Sequence, residues 1–167
     1  MRYMQIRKYD VANGPGVRST LFVAGCTIGC PSCFNEEYQD FKAGKAWTTE
    51  VEDAFLEHLK QPMIKGVTIL GGEPLDQIMD QQLEHLLQRI KAETGKSIWI
   101  FSGHLYEDLI QNPRRAAILA ACDVLVDGPF ILAQKDLKLK YRGSANQRLI
   151  DLNRTREAGQ IQLLDLN

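Results

Sequence analysis

Apolar residues along the chain fall into two patterns, short continuous runs and runs at helical spacing. Thr20-Leu21-Phe22-Val23-Ala24, Gly66-Val67-Thr68-Ile69-Leu70, Ser97-Ile98-Trp99-Ile100-Phe101 and Val124-Leu125-Val126 are short, β-rich and followed by turn residues. They predict four buried strands. Between them, Val51, Ala54, Phe55 and Leu59, then Met79, Leu83, Leu86, Leu87 and Ile90, recur at the period of an amphipathic helix. Thr49 and Glu52 fit a capping box for the first helix, and Gly95 a stop for the second. Two further helical pieces, separated at Pro113, precede the fourth strand.

Strand alternating with helix implies parallel strands joined by right-handed crossovers. The expected fold is therefore α/β, a partial, open β/α barrel with a mainly parallel sheet, since a closed barrel usually needs roughly 250 residues. Residues 1–167 read as one domain with its core at about residues 3–150. Beyond Phe130 the pattern weakens. Residues 147–152 suggest an edge strand, and the charged stretch 151–167 is expected as a partly mobile tail.

The turns matter more than the strands. A cysteine-bearing loop, Gly71-Gly72-Glu73-Pro74, Ser102-Gly103-His104 and Asp127-Gly128-Pro129 each follow a strand directly. In a parallel sheet they gather at the carboxyl ends of the strands, where α/β proteins place their active sites.

Composition narrows the partners. A formal net charge of -1 argues against nucleic acid or an anionic membrane as the main partner. Met1 to Lys8 lacks the apolar core of a signal peptide, and no apolar run approaches the roughly 20 residues that cross a bilayer. A cytoplasmic protein is expected. Of the four cysteines, three lie between positions 26 and 33. They would close only tiny disulfide loops, and in a reducing compartment such a cluster reads as a metal or redox site.

Cys26-x-x-x-Cys30-x-x-Cys33 supplies three thiolates, which suit an iron–sulfur cluster or zinc. Three ligands on a four-iron cube leave one iron open to a chelating substrate. The alternative is a zinc site completed by His58, His85 or His104, in a module with no enzymatic role. A thiol redox protein fits less well, because Cys-x-x-Cys beside a thioredoxin-like pattern is missing. Gly71 and Gly72 allow close backbone approach to a ligand, although the same residues make a plain strand-to-helix turn. Asn13 to Arg18 reads as a rigid turn and Cys122 as a small core residue. Packing explains Trp99, and His104 is either a ligand contact or an exposed loop residue. Lys135 to Arg142 reads as a solvated face or a docking surface.

The three cysteines with Phe34 beside them, followed by Gly71-Gly72-Glu73-Pro74, resemble the radical S-adenosylmethionine superfamily. Asn13-Gly14-Pro15-Gly16-Val17-Arg18 is similar to its glycyl-radical activase branch. Asp123 to Phe130 and Arg142 to Arg148 are similar to those activases that act on anaerobic ribonucleoside-triphosphate reductase. The resemblance implies a [4Fe–4S] cluster on Cys26, Cys30 and Cys33, with S-adenosylmethionine chelating the open iron. Reductive cleavage would then yield a radical that takes a Cα hydrogen from a glycine of the reductase's large subunit. It also implies a one-electron donor of flavodoxin or ferredoxin type. By the same resemblance, the backbone at Ser32, Cys33 and Phe34 would meet the adenine, and Gly72, with Gly71 beside it, the methionine amino group. Ser102 would meet the ribose or the methionine carboxylate. An activase of another glycyl-radical enzyme, such as pyruvate formate-lyase, shares this chemistry. Phe34 in place of the commoner Tyr, Ser102-Gly103-His104 in place of Thr-Gly-Tyr, and Pro129 in place of Lys depart from the pattern. A Gly72→Val change is expected to weaken cofactor binding while sparing the cluster.

Overall fold

The computed structural model describes residues 1–30, 33 and 36–164. Strands β1 (Arg2–Asp10), β2 (Arg18–Val23) and β3 (Lys45–Ala46) precede helix α1 (Thr49–Leu59). Then come β4 (Gly66–Gly71), α2 (Gln82–Thr94), β5 (Ser97–Phe101), α3 (Tyr106–Leu109), α4 (Pro113–Ala120) and β6 (Val124–Asp127). Strand β7 (Arg148–Asp151) and α5 (Leu152–Ala158) close the chain. All seven strands lie in one open sheet of order β3-β1-β2-β4-β5-β6-β7.

The four strands read from the sequence form the parallel centre β2-β4-β5-β6. The expectation of a mainly parallel sheet fails at the edges. β1 pairs antiparallel with β2 and β3, and β7 antiparallel with β6, so the sheet is mixed. Nothing in the strand pairing supports a partial barrel. The edges turn antiparallel because β1 leads into β2 through the short turn 11–17, and β7 returns beside β6 with no crossover helix.

Alternation along each strand sorts side chains onto two faces. Leu21, Val23, Val67, Ile69, Ile98, Ile100, Leu125 and Ile150 join the larger core. There they meet Phe55, Leu56 and Leu59 of α1, Leu83, Leu86, Leu87 and Ile90 of α2, and Ile118 and Leu119 of α4. On the other face Trp99, Val124, Val126 and Leu149 make a smaller cluster with Phe101, Tyr141 and Leu164. Among the described residues no helix side chain joins that second cluster.

Helix ends follow local chemistry, with two corrections. The first helix is capped by Thr48, whose Oγ1 accepts from Val51 N at 3.3 Å, and not by Thr49. Glu52, freed from the capping box, accepts from Trp47 Nε1 and pairs with Arg89. The second helix begins at Gln82, so Met79 lies outside it and is 89% exposed. Asp80 explains the late start: its Oδ1 accepts from Gln82 N while Oδ2 binds the terminal amine of Met1. Gly95 ends the helix at φ 64° as expected. Asn112 caps α4, with Pro113 at its first position. Helix α5, unread in the sequence, buries Leu152 and Thr155. Among the described residues no helix is long and apolar enough to cross a membrane.

The amino edge of the parallel strands is tied together by Arg18, only 1% exposed. Its guanidinium donates to Thr68 Oγ1, Pro15 O, Val67 O, Ser97 O and Ser97 Oγ at 3.0–3.3 Å and lies over the Trp99 ring. Burial pulls its pKa down to about 10. The turn from Asn13 to Arg18 is therefore a buttress for β2, β4 and β5. Arg18→Ala would leave several buried carbonyls without a donor and is expected to cost about 3 kcal/mol in urea unfolding. A loss under about 0.5 kcal/mol would show that the network is dispensable.

Candidate metal centre

The parallel register of β2 and β4 sets Val23 beside Gly71, so the cysteine loop and the double-glycine turn leave the sheet side by side. Backbone bonds then tie them: Gly72 N donates to Val23 O at 2.9 Å, and Glu73 N to Gly25 O at 2.7 Å. The base of the cysteine loop is closed by Gly25 N to Tyr38 O and Cys26 N to Gln39 O. Cys33 N donates to Cys30 O, and Cys26 Sγ accepts from Ile28 N.

Cys26, Cys30 and Cys33 are free, half-buried thiols lining one cavity of about 120 Å³. Gly71, Gly72, Glu73, Ser102 and Gly103 line it too, with Leu70 and Phe101 as part of its apolar wall. With Gly128 also in the lining, all four strand-end loops converge as the topology predicts. Ser102 is buried, and its Oγ accepts from His104 N. Ser32 and Phe34, assigned to the adenine, lie outside the described residues. Cys122 is fully buried in the core, its Sγ donating to Ile118 O, and burial pushes its thiol up.

Thiolates are the donors that an iron–sulfur cluster takes, and three of them on one short loop fit it. Among the described residues no three His, Cys, Asp or Glu side chains close on a common point. Burial, with Glu73 and Asp76 nearby, raises the Cys26 thiol above its ordinary value, so a bound metal would have to stabilise that thiolate. A zinc site with a histidine fits less well, because none of the three histidines lines the cavity. His58 lies against Lys8 O and Gln61, His85 is on α2, and His104 is held by Asp76.

A layer of polar residues behind the cavity escaped the sequence reading. After Glu73 the chain makes a short 3-10 turn, Pro74–Asp76. The Glu73 carboxylate, 1% exposed, accepts from Leu75 N and Gly103 N. Burial drives it well above the usual carboxylate range despite those donors. Asp76 Oδ2 accepts from Thr27 N and Thr27 Oγ1, both at 2.8 Å. Its Oδ1 lies 2.8 Å from His104 Nε2 and 2.9 Å from Arg115 Nη2. Burial pushes Asp76 up, but the bonds from His104 and Thr27 outweigh it and hold the carboxyl low. Gln77 Nε2 donates to Ala24 O, Gly25 O and Glu73 O. One carboxylate thus links the cysteine loop, the loop after β5 and helix α4. The available signal was two polar residues, Asp76 and Gln77, directly after the glycine motif.

Two outcomes follow. A Cβ on Gly72 would sit 2.5 Å from Gly25 O and 2.6 Å from Tyr38 O, so a side chain there pushes on the base of the cysteine loop. The structure therefore replaces the expectation that Gly72→Val spares the cluster. Gly72→Ala and Gly72→Val should both lower iron per chain after anaerobic reconstitution, and full iron content in Gly72→Val would refute the contact. The bond to Asp76 raises His104 above 6.5, against burial. A raised folded pKa means that this contribution is complete below about pH 6.5 and is lost as pH rises through the folded value. The difference in Tm between the native protein and His104→Gln should therefore narrow between about pH 6 and about pH 9. A constant difference would exclude the ion pair.

Residues 12–150 match the family model described as "4Fe-4S single cluster domain". The chain is 41% identical over 150 residues to the anaerobic ribonucleoside-triphosphate reductase-activating protein of Haemophilus influenzae, covering 88% of this chain and 96% of that one. Its identity to the protein of the same name from Escherichia coli K12 is 39%, with the same coverage. The corresponding protein of Enterobacteria phage T4 is 34% identical over 152 residues, 89% of this chain and 93% of its own. On this similarity, across nearly the whole of both chains, the protein belongs to the anaerobic ribonucleoside-triphosphate reductase-activating proteins and carries their 4Fe-4S single cluster domain.

Proposed function

We propose that this chain generates a glycyl radical on the large subunit of anaerobic ribonucleoside-triphosphate reductase in the cytoplasm, using S-adenosylmethionine. The observation that carries the reading is the convergence of the three thiols with the Gly71–Gly72 backbone on one cavity at the carboxyl ends of the parallel strands. When bound, a [4Fe–4S] cluster would supply the electron for reductive cleavage of S-adenosylmethionine, received from a donor of flavodoxin or ferredoxin type.

The remaining work belongs to the chain. Cys26, Cys30 and Cys33 would hold the cluster and leave one iron free of protein. Gly71 and Gly72, having no side chains, would let the sulfonium cofactor approach the backbone, with Ser102 also in the lining. The adenine is assigned to the backbone of Ser32, Cys33 and Phe34. Ile28, Leu70, Phe101 and Phe130 give the cavity an apolar wall that keeps water from the reacting carbon. Glu73, Asp76 and His104 are held by hydrogen bonds to the strand-end loops, and their role is to fix those loops. Hydrogen-atom transfer needs position above all, and rigid loops supply it.

Mixing the reduced, cluster-loaded protein with S-adenosylmethionine and the host's anaerobic reductase should give a glycyl doublet in electron paramagnetic resonance. The doublet should disappear when the acceptor glycine of the reductase is changed to Ala. Cys26→Ala, Cys30→Ala and Cys33→Ala should each abolish iron binding, whereas Cys122→Ala should keep it. Formation of 5′-deoxyadenosine without a protein radical would rule out the reductase as target.

A further inference from the structure

Residues 128–147 cross the uncovered face of the sheet as a strap with a locked base. Gln147 Oε1 accepts from Gly143 N and Ser144 N, while its Nε2 donates to Gly128 O. Asn146 Nδ2 donates to Pro129 O, and Ser144 Oγ donates to Asn146 Oδ1. Above this base Tyr141 is held at φ 60°, the only non-glycine in that region among the described residues, with its ring edge-on to Trp99. Strain of this kind persists where the surroundings over-determine it and marks ligand-clamping segments.

Arg142 follows the strained residue. Among the described residues its guanidinium makes a single hydrogen bond, Nη1 to Gln147 O at 3.1 Å. Its Nε is buried and has no partner. A buried N–H without an acceptor is rare in a folded protein and calls for one. Arg142 lines a cavity of about 390 Å³ that shares Leu70, Phe101, Phe130 and Gln147 with the cysteine cavity. The two spaces are adjoining parts of one channel. The other charged groups lining the cavity of about 390 Å³ are Arg7, whose guanidinium lies over the Phe22 ring, and Asp136, whose Oδ1 accepts from Lys138 N, and the cysteine cavity adds Glu73.

We propose that the Nε–Nη2 edge of Arg142 receives a carboxylate carried by the reductase segment that enters this channel, making Arg142 a specificity-determining residue. The inference rests on the activase reading and adds to it the chemistry of the entering segment. Two parallel N–H donors of a guanidinium match the two oxygens of a carboxylate. The locked base and the strained Tyr141 hold that edge in place before the partner arrives, which lowers the ordering cost of binding. Charge favours an acidic guest, since the cavity of about 390 Å³ is itself lined by two guanidiniums and a single carboxylate.

The test uses the cluster-loaded protein with S-adenosylmethionine and the intact reductase at varied concentration, reading the rate of glycyl-radical formation. Arg142→Lys keeps the charge but loses the fork. It should raise KM for the reductase roughly tenfold, with kcat at saturation changed less than about twofold, and Arg142→Gln should raise KM at least as far. Lys138→Ala, at the exposed tip of the strap, should leave KM within about twofold. KM within that range for both Arg142 variants would overturn the proposal while leaving the activase reading intact. A native protein that makes no glycyl radical would refute both. Amide exchange is the second measurement: the reductase should slow exchange at residues 136–143 of the native protein. Unchanged exchange there overturns the proposal even if the variants lose their cluster.

Discussion

The described part of the cysteine loop takes its position from backbone hydrogen bonds to the turn that leaves β4. Parallel pairing of β2 with β4 places Val23 opposite Gly71. The bonds from Gly72 N to Val23 O and from Glu73 N to Gly25 O are the next steps of that contact, carried past the ends of the strands. So close an approach excludes side chains. A Cβ on Gly71, at φ 118°, would meet Val23 O at 2.4 Å, and one on Gly72 would meet Gly25 O. The double glycine is required by packing against the cysteine loop as well as by any ligand that approaches it.

What the sequence made legible is what local pattern encodes. The four apolar runs became the parallel centre of the sheet, and the turns after them converged because topology leaves parallel strand ends no other place. β1 stayed hidden because Arg2 to Tyr9 is half-buried to exposed along its length, with no apolar run, and because antiparallel pairing with β2 is a long-range fact. Helix α5 stayed hidden because only Leu152 and Thr155 are buried, too few for a periodic signal. Asp76 meets Thr27, His104 and Arg115 across separations of 49, 28 and 39 residues, and no local pattern reports such a contact. Arg18 read as part of a turn because a charged residue ordinarily lies at the surface, and only the fold shows five acceptors gathered around it.

Polar groups buried at the two edges of the sheet do related work. At the amino edge Arg18 joins β2, β4 and β5 through backbone carbonyls. At the carboxyl edge Glu73 and Asp76 join the loops through backbone N–H groups. A cation meets carbonyls and an anion meets amides, as the exposed ends of parallel strands and of their loops demand. Both networks are satisfied, which is the condition under which a buried polar group rigidifies its surroundings.

The two faces of the sheet are covered differently. Side chains of α1, α2, α3, α4 and α5 join the larger core on one face, whereas among the described residues the other face is crossed by the strap and met by Leu164. The second face therefore carries two adjoining cavities, one beside the strap and one at the thiols. Holding the thiols on strand-end loops and Arg142 on a separate strap lets the strap vary while the geometry of the thiols stays unchanged.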